Sequence, residues 1–296
     1  MSVISAIKGG DVFIGGRGIS FEGEKIRGYG LLVKISNGEI LFRELPFLGD
    51  IRDIFFLDNL TGWVTGYDGI FRTTDGGETW KKLEFSSMNG PLFFLDADNG
   101  WYFSQSGKLN RIKGEKVETL KEFEGFIHVK KLQFTSPERG WLRYVENSRN
   151  VFLQTKDGGR NWNPVNVGED APHDFQFFND YEGFVLVADG LYYTNDGGEN
   201  WQPVRKEAER EWFGKLYFQD RNTGCIIGQK DCFTNDGGTS WKCAEPLKEL
   251  GNRIIRGFVF TDARNGWLLS EDGLYFTENG GTVWRRQPLS FSDGYF

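Results

Sequence analysis

Thr73-Thr74-Asp75-Gly76-Gly77-Glu78-Thr79-Trp80 is the first of five copies of one eight-residue pattern. The others occupy 155–162, 194–201, 234–241 and 277–284. The acid falls at Asp75, Asp157, Asp196, Asp236 and, as an amide, Asn279, in steps of 82, 39, 40 and 43 residues. The first step spans two periods, so one repeat has lost its motif. A period of about 40 residues with glycine and aromatic signatures marks a propeller or solenoid array.

A second pattern supplies the count. A glycine followed by a bulky or apolar residue recurs at Gly62-Trp63, Gly100-Trp101, Gly140-Trp141, Gly183-Phe184, Gly224-Cys225 and Gly266-Trp267. An apolar, strand-like segment precedes each one, such as Ile54-Phe55-Phe56-Leu57. The motif is missing from the repeat around 90–122, where Arg111-Ile112-Lys113-Gly114-Glu115-Lys116 reads as a short turn. Residues 33–45 align without a gap on 71–83, placing Asn37 on Asp75 and Phe42 on Trp80. This makes seven units.

Each unit divides into four strands; in the second they are expected near 51–57, 62–67, 70–74 and 79–84. Four-stranded sheets repeated radially make a β-propeller. The expected fold is all-β, a single seven-bladed β-propeller over 1–296. Blades fall at approximately 1–45, 46–84, 85–122, 123–165, 166–205, 206–246 and 247–290.

The eight-residue motif belongs in the hairpin between third and fourth strands. Its acid can accept backbone N–H groups, its glycines permit positive φ, and its first threonine can tie strand to loop. The indoles of Trp80, Trp162, Trp201, Trp241 and Trp284 supply apolar area against a sheet. Asn279 keeps an acceptor oxygen. These acids read as structural, because a turn acid that caps its own backbone is already satisfied.

The motifs resemble Asp boxes, the bacterial-neuraminidase repeats. Combined with the Gly-Trp strands, the chain is most similar to the photosystem II assembly and stability factor family, over about residues 1–290. That resemblance implies a seven-bladed propeller and a non-catalytic scaffold for a protein client, assisting a multi-subunit or membrane complex. It also implies an arginine-rich client patch, for which Arg52 and Arg256 are the nearest candidates.

Forty Gly, 27 Phe and 10 Trp in 296 residues suit a turn-rich protein with ample core material. A net charge of −7 argues against general nucleic-acid binding, which needs a basic face. The N-terminus MSVISAIKGGDVFIGG lacks signal-peptide organisation and no run is long enough to span a membrane. The expectation is a monomeric, cytoplasmic protein without membrane insertion, or an exported one if a leader has been removed. Cys225, Cys232 and Cys243 fit no zinc spacing and are expected as buried thiols.

Binding is expected on the face away from the boxes. Long connections there are 17–30, with Arg27 and Tyr29; 143–150; and 166–173. Ten residues before the recurring glycine stand Arg52, Gly90, Lys130, His173, Gly214 and Arg256. One place later stand Asp53, Pro91, Lys131, Asp174, Lys215 and Gly257, and Arg253 lies nearby. Arg52, Lys130, His173, Lys215, Arg256 and Arg253 are therefore expected to form a positive mouth for an acidic segment. Tyr29, Tyr67 and Trp212 are its candidate aromatics.

The alternative is a glycan-binding or sialidase-like propeller. Phe42-Arg43-Glu44-Leu45-Pro46 departs by one residue from the arginine segment that the sialidase resemblance implies, and no Tyr–Glu pair can be singled out. Glu22, Glu146 and Asp174 could supply paired acids. With His128 and His173 as the only histidines, a metal or Ser–His–Asp centre is thinly supplied. No catalytic residue, metal or cofactor is expected.

Overall fold

The computed structural model describes residues 3–288 except 8, 23–24, 67, 84–87, 105–106, 115, 125–126, 168–171, 207–213, 229–230 and 245–254. These residues form seven four-stranded antiparallel sheets and no helix. The fold is a seven-bladed β-propeller. The blades span 3–45, 53–83, 88–122, 127–164, 174–206, 214–244 and 255–287, each built from four consecutive strands. In the second blade the strands are Asp53–Phe56, Gly62–Gly66, Gly69–Thr73 and Lys81–Leu83, one or two residues inside most expected ends.

The chain separates into two compact units. Unit 1 comprises 1–105, 113–117 and 252–296; unit 2 comprises 106–112 and 118–251.

One packing rule runs through both units and explains the Gly-aromatic dipeptides. The glycine lies under the phenylalanine that ends the first strand of its own blade. A Cβ on Gly62, Gly100, Gly140, Gly183, Gly224 or Gly266 would stand 2.3–2.6 Å from the ring of Phe56, Phe94, Phe134, Phe177, Phe218 or Phe260 respectively. In blades 2, 4 and 5 the aromatic residue that follows reaches the next blade. Trp63 stacks on Phe94 with centroids 3.6 Å apart, Trp141 on Phe177 at 3.5 Å and Phe184 on Phe218 at 4.2 Å. In blade 1, Phe13 takes the same place on Phe56. Trp63, Trp141 and Phe184 are at most 1% exposed. Stacks of this size dominate core energetics.

The turn between first and second strands carries its own polar lock. Asp58, Asp96, Asp220 and Asp262 each accept the N–H groups two and three residues on, and Asn179 does the same. Each stands four residues before the recurring glycine. These are Asx turns.

Two connections expected as long loops are strands. Of the residues 17–30, 17–22 and 25–30 lie in paired strands, Val12–Glu22 with Lys25–Ser36. Residues 143–150 close as Gly140–Glu146 and Arg149–Thr155 around Asn147 and Ser148, both at positive φ. Two positive-φ central residues make the turn whose twist matches a hairpin, so pairing continues to the tip.

The cysteine expectation is corrected as well. Cys232 and Cys243 form a disulfide, and Cys225 alone is a buried free thiol. The two half-cystines are directly opposite one another on adjacent strands, a geometry the hairpin register imposes.

Candidate functional site

The Asp-box turns are built alike. The threonine hydroxyl donates to the acid, or to Asn279 Oδ1, at 2.7–2.9 Å. It accepts the N–H of the second glycine at 2.8–2.9 Å. The same Oδ1 accepts the N–H four residues on at 2.9–3.0 Å. In the four acidic boxes the second oxygen takes the side chain of Thr79, Asn161, Asn200 or Ser240. Val283 offers no such donor to Asn279, so the charge and its second partner are lost together.

Both glycines of every box have φ between 70° and 103°. The first also donates its N–H to the first–second strand turn, as Gly76 does to Leu60 O and Gly158 to Glu138 O. Trp80, Trp162 and Trp241 return an indole N–H to the second glycine's carbonyl. Each box tryptophan sits edge-on to the phenylalanine of its own blade. Hydrogen bonds to the charged form hold the carboxyls of Asp75 and Asp157 below the usual range and that of Asp236 at about 2. The acids of the boxes are fully engaged in holding their turns.

The fold is thus a β-propeller whose third–fourth strand hairpins carry Asp-box turns. Residues 71–82 match the model of the BNR/Asp-box repeat, and residues 118–210 match that of Photosynthesis system II assembly factor YCF48. No curated protein matches the sequence. Among solved structures, "YCF48 bound to D1 peptide" is 20% identical, covering 80% of each chain with a TM-score of 0.56. YCF48 from Cyanidioschyzon merolae is 16% identical over 90% of this chain and 97% of its own, with a TM-score of 0.60. The WD40 β-propeller domain of Doa1 is 13% identical over 93% and 90%, with a TM-score of 0.65. At these identities the structural likeness is one of fold.

At the end of the propeller blades away from the boxes, unit 1 carries Arg17, Arg27, Arg52 and Arg256. Arg17, Arg27 and Arg256 are exposed and Arg52 is half-buried. A cleft of about 470 Å³ opens between blades 1 and 7. Its floor is apolar, from Ile14, Leu31, Val33, Leu269 and Leu274. Arg17, Arg256, Arg286 and Glu271 line its polar part. Arg286 donates to Asp272 O at 2.8 Å. The Asp272 carboxylate takes the hydroxyls of Tyr275 and Ser270. A cleft of this volume with a few convergent polar groups suits a ligand or an inserted side chain.

Tyr29 is not an exposed anchor there. It is 6% exposed, lies over Gly18 and belongs to the core shared with blade 7. Burial, with Glu44 beside it, raises its phenol. Its place in the ribbon turns it inward, which an expected loop could not have revealed. Arg253, Tyr67 and Trp212 lie outside the described residues, as do the side chain of Glu22 and part of the 166–173 connection.

Unit 2 holds Lys130, His173 and Lys215. A β-bulge between Val129 and Lys131 sets Lys130 aside, exposed. Lys131 bonds Asp174 at 2.8 Å and lies 5.2 Å over the Phe175 ring. Asp174 also accepts the N–H groups of Phe175 and, from the next blade, Leu216. Desolvation lowers the Lys215 ammonium while Asp174 opposes it. Arg143, also desolvated, donates to Pro172 O and Asn150. The His173 N–H is taken by Leu186 O.

Asp53 repeats the Asp174 device in unit 1, accepting from Ile54 and from Leu92 of the next blade. Burial raises its carboxyl to about 6 against those two bonds. These acids stitch neighbouring first strands, a role legible in their matching place before the recurring glycine. Arg43, in the outer strand of blade 1, pairs with Glu78 at 2.6 Å. Among the described residues no group of three or more His, Cys, Asp or Glu could hold a metal, and no helix is long and apolar enough to cross a membrane.

Proposed function

We propose that this propeller is a non-catalytic protein-binding scaffold that takes an acidic segment of a protein client at the end away from its Asp boxes. The observation that carries this reading is the cleft of unit 1, where an apolar floor is overlooked by Arg17 and Arg256. Such a surface favours a partner offering an apolar side chain beside carboxylates, first steered and then docked. In unit 2, Lys130, His173 and Lys215 supply a second basic surface.

The match of 118–210 to an assembly-factor family supports a client that is a protein, as does the fold shared with a YCF48 bound to a D1 peptide. The role that follows is assistance to assembly or stability of a multi-subunit or membrane complex, by a monomer. Asp174, one of the acids the glycosidase alternative would use, is engaged by Lys131 and by the N–H groups of Phe175 and Leu216, which supports binding over glycoside hydrolysis. Its compartment, cytoplasmic or exported after loss of a leader, is read by fractionation of the host.

The test is fluorescence anisotropy with a labelled acidic peptide that carries one large apolar residue, beside capture from a gently solubilised host lysate. Binding that weakens with salt and is lost in Arg17→Glu/Arg256→Glu is the expected result. Retained binding in that variant overturns the assignment of the surface. Turnover of a glycoside by the purified chain overturns the scaffold reading.

A further inference from the structure

Blade 6 closes differently from its neighbours. The box fixes which residues face each other across the third and fourth strands: the position two before the threonine opposes the position two after the tryptophan. In blade 2 that pair is Phe71 and Lys82, with the ammonium 5.8 Å over the ring. In blades 4, 5 and 7 it is Leu153 with Pro164, Tyr192 with Pro203, and Tyr275 with Arg286. Only in blade 6 is it two cysteines, Cys232 and Cys243, joined as a disulfide. The blade-6 box, 234–241, is hydrogen-bonded like the others and lies wholly inside the loop that the bond closes. The turn therefore has its ordinary supports, and the bond adds a covalent clasp to a three-residue outer strand, Lys242–Ala244.

The clasp is asymmetric. Cys232 is 3% exposed and packs with Leu216 and Ile226, whereas Cys243 is exposed on the outer strand. Residue exposure therefore favours attack by an outside thiolate at Cys243 over Cys232. Cys225 cannot act as an internal thiol. It pairs with Phe233, one place along from Ile226 and Cys232, so alternation turns it to the other face of the sheet. Burial, with Asp231 adding, also keeps it protonated.

We propose that Cys232–Cys243 is a redox-exchange site that takes a dithiol, and that opening it frees the outer strand of blade 6 while the rest of unit 2 stays folded. One thiolate of the dithiol attacks Cys243 Sγ. A mixed disulfide forms, the Cys232–Cys243 bond breaks, and Cys232 leaves as a thiolate and takes a proton. The second thiol of the dithiol then attacks its own sulfur in the mixed disulfide and releases Cys243. Two electrons and two protons pass to the cysteines, and the dithiol becomes a disulfide. The clasp is closed in an oxidising compartment and open where dithiols are kept reduced. Exposed disulfides are the labile, regulatory kind.

The experiment uses the full chain purified without reductant. Alkylation after denaturation should find one free thiol, Cys225. Dithiothreitol should then make Cys232 and Cys243 reactive. Hydrogen exchange of the 231–244 hairpin should quicken by about tenfold or more, with the outer strands of blades 2 and 7, Lys81–Leu83 and Arg285–Gln287, unchanged. Cys243→Ser should show the faster exchange without reductant and ignore dithiothreitol. Three alkylated cysteines in the unreduced chain, or reduction without faster exchange in blade 6, overturns the proposal. The wild-type measurements decide it even if the variant does not fold.

Discussion

The two ends of the blades were built under opposite rules. At the Asp-box end, five turns repeat one set of hydrogen bonds to within a few tenths of an ångström. A threonine, a carboxylate or amide oxygen and two left-handed glycines are each needed for a bond or a φ value, so none can drift freely. At the other end two blades, the second and the fifth, share a first-strand acid that reaches the next blade, Asp53 and Asp174. Around them blade 1 extends a ribbon, and blade 4 inserts a bulge and turns on Asn147 and Ser148. Satisfied polar chemistry produces repetition, and freedom from it leaves room for a surface to specialise.

The aromatic stacks that underlie both ends should respond most strongly to substitution. Trp141→Ala removes a fully buried indole from Phe177 and should cost about 3–5 kcal/mol, read from urea midpoints. Gly183→Ala drives a Cβ into the Phe177 ring and the Gln176 carbonyl. It should cost about 1–3 kcal/mol. Thr155→Val keeps the shape of a buried side chain but strands the Gly159 N–H. A loss of about 1–3 kcal/mol is expected from an unpaired buried donor. If Thr155→Val costs nothing, the box is not what holds that end.

Titration separates the two ends by sign. Asp236 lies below its ordinary range, at about 2, held there chiefly by Ser240. Its contribution is present above 3.8 and lost as pH falls through about 2. Asp53 lies above its ordinary range, at about 6, through burial. Its contribution is full below 3.8 and lost as pH rises through about 6. Stability should therefore rise between pH values of about 7 and 5. In Asp53→Asn that rise should flatten, which urea melts at the two pH values would show.

The smallest stability effect belongs to the loop end. Arg17→Glu with Arg256→Glu should move the unfolding free energy by no more than about 0.5 kcal/mol, while abolishing client binding. A large loss of stability would mean that these arginines serve the fold, and the contrast between the ends would collapse.

The box and the Gly-aromatic pairs were legible because each demands fixed residue types at a fixed spacing. The Asp or Asn of the first–second strand turn was nearly as regular, four places before five of the six recurring glycines, with Ser136 before Gly140, and its spacing was open to the same reading. So was the clasp, since the box register already sets Cys232 opposite Cys243. Other features were not visible in the sequence. Nothing in 17–30 announces that Gly18 and Gly28 lie under Tyr29 and Arg17 in a paired ribbon. A bulge shifts facing by one residue without changing composition, which is why Lys131, rather than Lys130, meets Asp174.

Every sheet is drawn from four consecutive strands, and none is shared between distant parts of the chain. An evolutionary duplication or deletion of about 40 residues therefore adds or removes one whole blade and cuts no hydrogen-bonded ladder. Blade 3, which has lost its box and kept its four strands, shows how far a copy can diverge once it is in place. Inheritance in such a chain works by the blade, and the blade, rather than the residue, is the unit in which new binding surfaces are tried.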